Sequence, residues 1–273
     1  MDTKTVSIFF KVGHFFALTP PSHSAKVPNL HQKARQVFTL LFYTFGLIYN
    51  IYARRYLYEH VSPVQKLFRI IMDIDLYAHT YHSLINVMIF KRRNLLQLCR
   101  NLYISGLKMG PTKNYFWIFV ITHLIFCASL SVITYAWNTI VGAYFFKMYL
   151  VELFQFYIIF FYTFFGCTLL DMVLQRYRFQ KALLLETQLN KHDNDQRFNN
   201  IRNYLSTLKE NIDIFNEIFG WTILLLIFFA VVKALIYVDI VLKNTYSSFN
   251  VTTSTLHFVA NINVIFQLWV SKF

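Results

Sequence analysis

Charged residues, glycine and proline are all scarce in this sequence. Charged residues make up 14% of the 273 positions, against about 25% in a typical soluble domain. Seven glycines and five prolines are too few for a collagen-like, linker-rich or disordered chain. Apolar residues, in contrast, make up 56% and aromatic residues 19%, and the mean hydropathy is +0.41. This composition predicts a polytopic membrane protein.

Cysteine and the common catalytic motifs are also poorly represented. The three cysteines, Cys99, Cys127 and Cys167, are odd in number and lack the paired spacing of a metal site. The sequence contains no glycine-rich phosphate loop, no GxSxG and no HExxH pattern. It therefore predicts neither a disulfide framework nor an enzyme, and it indicates no cofactor and no bound metal.

The chain carries a large positive charge, with 26 Lys and Arg against 13 Asp and Glu. Such a surplus can indicate a nucleic-acid partner. Here most of the basic residues lie between apolar segments, where they orient a membrane protein instead. We therefore expect a lipid bilayer as the surrounding partner and no nucleic acid.

Six apolar segments have about the length that a membrane-spanning helix needs, roughly 17–25 residues. They cover residues 37–53, 68–90, 115–137, 148–173, 218–241 and 254–270. Their apolar runs are continuous, whereas a membrane strand would alternate. The sequence therefore predicts an all-α bundle of six transmembrane helices, with residues 1–273 forming a single membrane domain.

The basic residues also predict the orientation of the chain. Nineteen of them fall on the side of the amino terminus and five on the opposite side, which places the amino terminus in the cytoplasm. The glycosylation sequon at Asn250 falls in the segment 242–253, on the predicted outside. Residues 6–18 read as an amphipathic surface segment, and we do not expect a cleaved signal peptide.

The longest predicted loop, residues 174–217, is cytoplasmic and has apolar residues at helical spacing. We expect helices that extend the fourth and fifth spans into the cytoplasm, with a break around residues 192–194. Their apolar faces have two interpretations, a solvated amphipathic helix or a contact between subunits.

The second apolar segment carries an unusual set of polar residues. At 100° per residue, Asp75, His79, His82 and Asn86 share one helix face, and Asp73 falls on the opposite side. Ionisable groups at this depth are candidates for function. One interpretation is a transporter or a metal-dependent membrane enzyme, but no second His/Asp cluster completes a coordination shell. The favoured interpretation is a polar stripe facing the interior of the bundle or a watery cavity.

Other spans bring polar residues to the same predicted outer level. Glu152 and Gln155 lie in the fourth segment and Lys233 in the fifth. We therefore predict a ligand pocket open to the outside, with Asp75, His79, Glu152, Gln155 and Lys233 as polar contacts. Three tyrosines, Tyr81, Tyr135 and Tyr157, are expected among its walls. The alternative is ordinary interfacial placement with snorkelling side chains.

One stretch resembles a known family. Asn216, Phe219-Gly220 and the leucines at 224–226 match the helix that enters the fifth span of insect gustatory receptors. The cytoplasmic amino terminus, the aromatic content and the long helical loop are also similar to that family. The resemblance covers most of the chain and is best over residues 176–243.

The resemblance implies a taste receptor of the ligand-gated cation channel type in the plasma membrane. Members detect small-molecule tastants in an outward-facing pocket and assemble as tetramers around a pore. That pore is lined by a seventh helix with a Thr-Tyr and Gln-Phe signature, which this sequence lacks; Ile265-Phe266-Gln267 is the nearest match. We therefore expect a homo- or hetero-oligomer with related subunits. The alternative is a non-conducting family member that modulates such subunits.

Overall fold

The computed structural model describes residues 10–14, 16, 18–19, 30–59, 62–106, 115–142, 144–189 and 194–245. All regular secondary structure in these ranges is helical, and none of the described residues forms a strand. The prediction of an all-α fold is therefore confirmed. The sixth predicted span, residues 254–270, and the sequon at Asn250 lie outside the described residues.

Six long helices account for most of the described chain. They are α1 (Leu30–Glu59), α2 (Pro63–Ile85), α3 (Arg92–Gly106), α4 (Tyr115–Val141), α5 (Tyr144–Leu189) and α6 (Asn194–Thr245). A π-helical turn, Asn86–Phe90, continues α2. With 46 and 52 residues, α5 and α6 are more than twice as long as the roughly 20 residues that cross a bilayer.

Four of these helices are long and apolar enough to cross a membrane, judged by length and composition over the described residues. The apolar stretches are Lys33–Arg55 in α1, Phe116–Thr139 in α4, Tyr144–Leu185 in α5 and Ile201–Ile236 in α6. They include four of the predicted spans almost entirely. The predicted span 68–90, which covers most of α2 and the π-helical turn that follows it, is not among these stretches.

Local sequence signals define the start of α2. Ser62 is its N-cap, and the Ser62 side chain accepts a hydrogen bond from the backbone N–H of Gln65 at 3.4 Å. Pro63 occupies the first turn, where its missing N–H removes no helical hydrogen bond. These two signals fix the point at which the chain enters α2 and therefore the register of its polar residues.

The main core is aromatic and centres on α5. Phe161, Phe165 and Tyr162 of α5 are almost fully buried, and Phe165 packs edge-on against Phe219 of α6 at 6.1 Å between ring centroids. Gly166 allows this approach, because a Cβ there would lie 3.3 Å from the Phe219 ring. The helices α5 and α6 therefore form a closely packed pair.

The short helix α3 packs against α6 through leucines. Leu95, Leu98 and Leu102 are at most 1% exposed, and their spacing of three and four residues forms one helix face. Polar contacts flank this face: Asn94 donates to Glu217 at 2.8 Å and Gln97 to Glu210 at 2.9 Å. The leucine face thus anchors α3, and the flanking contacts set its register.

Candidate functional site

The helix α2 places polar residues inside and apolar residues outside. Asp75, His79 and Ser83 are buried, whereas Leu67 and Ile74 are 57% and 64% exposed. A helix on the surface of a soluble protein has the opposite arrangement. Polar groups of α2 therefore lie inside the bundle, and the face that α2 exposes is mostly apolar, with Lys66 near its start as an exception.

Two polar contacts fix how α2 lies against α6. Gln65 donates to Asp239 at 2.9 Å near the start of α2, and Asn86 donates to the backbone oxygen of Ile218 at 3.2 Å beyond its end. Asn86 follows Gln65 by twenty-one positions, whereas its partner Ile218 precedes Asp239 by twenty-one positions. The two helices are therefore antiparallel, and Asp75 lies at the level of Phe229.

The helices α2 and α5 run parallel to each other. Arg54 of α1 bridges Asp73 of α2 to Glu152 of α5. Further along both helices, Leu76 and Ile159 belong to one buried apolar cluster with residues of α6. Because Gln155 follows Glu152 by one turn, it lies at about the depth of Leu76 and Asp75.

Four buried polar side chains lie on these two helices, and we call them the polar cluster: Asp75, His79 and Ser83, which follow one another at four-residue spacing along one face of α2, and Gln155 of α5. Their exposed fractions are 4%, 1%, 0% and 0%. Both carboxylate oxygens of Asp75, both ring nitrogens of His79, the Ser83 hydroxyl and both amide atoms of Gln155 lack a hydrogen-bond partner among the described residues. Buried polar groups are normally hydrogen-bonded because leaving them unpaired is costly. The polar cluster can therefore accept and donate hydrogen bonds to another molecule.

Glu152 has a different environment from the polar cluster. It forms an ion pair with the Arg54 guanidinium, which also donates to Asp73 at 3.1 Å and to the backbone oxygen of Met148 at 3.0 Å and 3.1 Å. The guanidinium carbon lies 4.4 Å from the centre of the Tyr149 ring. Glu152 thus belongs to a buried ionic network that joins α1, α2 and α5.

Lys233 borders the polar cluster on the α6 side. Its ammonium nitrogen lies 5.6 Å from the ring centroids of both Phe156 and Phe229, a cation–π distance. It also interacts electrostatically with Glu152. Lys233 therefore connects the ionic network to the aromatic wall of the polar cluster.

The structure separates the five residues predicted as ligand contacts into two groups. Asp75, His79 and Gln155 belong to the polar cluster, whereas Glu152 and Lys233 take part in charge interactions beside it. Sequence reasoning missed Arg54, which it assigned to a loop. The sequence did contain a signal for this role of Arg54. Two carboxylates inside apolar helices need a cation, and Arg54 directly follows the first apolar segment.

The three tyrosines predicted among the pocket walls have different surroundings. Tyr81 makes a 2.6 Å hydrogen bond with Thr44 of α1. Tyr135 is 73% exposed on α4, so its place in the wall of a pocket open to the outside stays a prediction. Tyr157 stacks near Phe16 and His123. Phe229 belongs to the buried apolar cluster that contains Leu76 of α2, and Phe156 packs against that cluster; we call these two rings the aromatic wall.

His82 lies on the face of α2 that was considered for a metal, and it has a polar neighbour. His82 Nε2 lies 3.4 Å from the side-chain nitrogen of Asn86, and no group of three or more His, Cys, Asp or Glu among the described residues could hold a metal ion.

In α3, burial raises the pKa of the Cys99 thiol to about 12. This thiol is therefore protonated at neutral pH and a poor nucleophile.

Comparison with known proteins adds no relative. The sequence matches no known protein-family profile, and no curated protein matches it significantly.

Proposed function

We propose that this chain is a subunit of a taste-type chemoreceptor that detects a small molecule from the extracellular side of the plasma membrane. The observation that carries the proposal is the polar cluster, a set of buried side chains on α2 and α5 whose polar atoms lack hydrogen-bond partners among the described residues. A mostly apolar enclosure with a few convergent polar groups is the usual form of a small-molecule site. The resemblance of residues 216–226 to insect gustatory receptors gives the receptor class.

The proposal includes a fifth membrane span formed by α2, in addition to the four helices that are apolar enough by composition. Its exposed face, which includes Leu67, Ile70 and Ile74, suits contact with lipid chains. Its charged and polar side chains, in turn, mostly lie against neighbouring helices, as is usual for ionisable groups within a membrane. With a cytoplasmic amino terminus, this arrangement brings Asp75 and Gln155 of the polar cluster to the outer half of the bundle.

Ligand binding in this proposal is coupled to helix movement. Because the polar cluster is nine-tenths buried or more, a ligand can reach it only if α6 moves relative to α2. A ligand that prefers the separated arrangement shifts the population toward it. The continuous 52-residue helix α6 then carries the movement to its predicted cytoplasmic end, where α3 contacts Glu210 and Glu217.

The output that we propose is cation entry through an assembly with related subunits. This part rests on the resemblance, since members of that family are ligand-gated cation channels. The chain takes part in such an assembly as a homo- or hetero-oligomer.

The test is ligand-evoked cation entry in cultured cells that express the chain at the surface, alone or with a pore-forming gustatory receptor. Sugars, amino acids and organic amines form the panel. We expect at least one class to evoke calcium entry that mock-transfected cells lack. His79→Ala should weaken the response, whereas His31→Ala, at an exposed position on α1, should leave it unchanged. Surface expression without a response to any class, in either combination, would contradict the proposal.

A further inference from the structure

We infer that the polar cluster is a binding site for a protonated organic amine, with Asp75 as the counter-ion of the ammonium group. This inference rests on the proposed function, because it names the chemical class of the ligand for the same site. It follows from the charge of Asp75, from the acceptors around it and from the aromatic wall at its level.

The first argument is the isolation of the Asp75 carboxylate. Asp75 is 4% exposed, and neither of its oxygens has a hydrogen bond or an ion pair among the described residues. The neighbouring buried carboxylate, Glu152, has Arg54 as its counter-ion. A buried carboxylate is strongly stabilised by a cation, and a ligand that brings its own positive charge meets this requirement where a neutral ligand does not.

The second argument is the number of acceptors close to Asp75. An ammonium group carries up to three N–H donors. Gln155 offers a free amide oxygen at about the depth of Asp75, and His79 offers a ring nitrogen one turn further along α2. Both side chains are fully buried. Asp75, Gln155 and His79 can therefore accept the three hydrogen bonds of one ammonium group.

The third argument is the aromatic wall. Phe229 lies opposite Asp75 in the register that Gln65–Asp239 and Asn86–Ile218 define, and Phe156 follows Gln155 directly. These two rings already hold one ammonium group, that of Lys233, at 5.6 Å from each centroid. Aromatic faces attract cations through their quadrupole. The wall of the polar cluster is thus suited to the same charged group that the carboxylate requires.

The test measures binding to the purified, full chain in detergent micelles, through the shift in its thermal unfolding midpoint. The probes are two matched pairs, 2-phenylethylamine with 2-phenylethanol and butylamine with butanol, with glucose as a neutral polyol. We expect at least one amine to raise the midpoint at concentrations where its alcohol and glucose have no effect. An alcohol that stabilises the protein as well as its amine would overturn the inference, as would stabilisation by glucose alone.

The decisive variant is Asp75→Asn, which keeps the shape of the side chain and removes its charge. We expect amine affinity to fall about 10- to 100-fold, the range typical of a lost charge-assisted hydrogen bond. Asp213→Asn, at an exposed position on α6, should retain full affinity. Equal amine binding by wild type and Asp75→Asn would overturn the inference.

A second variant tests the site without changing Asp75. Phe229→Leu removes one ring of the wall, and we expect amine affinity to fall about three- to tenfold. The receptor role is tested separately by cation entry in cells. A response to sugars or amino acids without amine binding would overturn the amine class and leave the chemoreceptor proposal standing. Amine binding without any cell response would overturn the chemoreceptor proposal and leave the amine class of ligand standing.

Discussion

Asp73 and Asp75 lie two residues apart on α2 but have opposite electrostatic environments. Asp73 accepts a hydrogen bond from the Arg54 guanidinium at 3.1 Å, whereas Asp75 has no partner for either oxygen among the described residues. The helical rotation of about 200° between them accounts for the difference. Asp73 reaches Arg54 of α1, and Asp75 lies on the opposite face of α2, at the level of Phe229 of α6. One carboxylate therefore stabilises the bundle, and the other is the group that we propose for the ligand.

Replacement of Arg54 should destabilise the bundle strongly. Arg54→Gln leaves Asp73 and Glu152 without their cation in a buried layer, and breaking such a network costs about 3–5 kcal/mol. We expect a clear fall in the thermal unfolding midpoint of the purified protein. Arg178→Gln, at an exposed position on α5, should change stability by less than about 0.5 kcal/mol. An equal effect of the two variants would show that the ionic network contributes little.

Replacement of Gln155 should raise the stability of the protein and weaken its ligand response. Gln155→Leu removes a fully buried amide whose two polar atoms lack partners among the described residues, so we expect the protein to gain about 1–2 kcal/mol in stability. The ligand response should fall at the same time, because the amide is proposed to contact the ligand. Gln180→Leu is the matched control further along α5, and it should preserve the response. A destabilised Gln155→Leu protein would indicate that the amide has a structural partner.

The docking of α3 should depend on its leucines more than on its charges. Leu98 is 0% exposed, and Leu98→Ala should cost about 2–5 kcal/mol through lost burial and a new cavity. Lys91 forms an exposed ion pair with Glu217, and such pairs contribute about 0–1 kcal/mol. Lys91→Gln should therefore lower the unfolding midpoint far less than Leu98→Ala. The reverse order would mean that electrostatic contacts hold α3 in place.

Two helical glycines should respond in opposite ways to alanine. A Cβ on Gly46 of α1 would lie 2.8 Å from Cγ1 of Val151 on α5, so Gly46→Ala should destabilise the protein by about 1–3 kcal/mol through overpacking. A Cβ on Gly220 of α6 would have no neighbouring atom within 4 Å among the described residues. Gly220→Ala should stabilise the helix by about 0.5–1 kcal/mol. Thermal unfolding of the two variants side by side tests the close approach of α1 to α5.

The sequence predicted those features that depend on local periodicity. The helical class follows from the continuous apolar segments, and the shared face of Asp75 and His79 follows from helical spacing alone, because both are properties of one helix. The partner of Glu152 could not be predicted in this way. Arg54 lies ninety-eight residues from Glu152, and only the packing of α1 against α5 brings them together.

The positions of Phe156 and Phe229 could not be predicted from the sequence for the same physical reason. Phe156 and Phe229 resemble many other phenylalanines in this chain, and nothing in their own neighbourhoods distinguishes them. Their importance comes from the register between α2 and α6, which Gln65–Asp239 and Asn86–Ile218 set at the two ends of α2.

The most direct test of the central claim, that the polar cluster holds the ligand of a chemoreceptor, is a concentration–response curve. Ligand-evoked cation entry should be measured in parallel for wild type, Asp75→Asn and Asp213→Asn at matched surface expression. The account predicts that Asp75→Asn raises the half-maximal concentration about tenfold or more and that Asp213→Asn leaves it unchanged. Three superimposable curves would contradict the account.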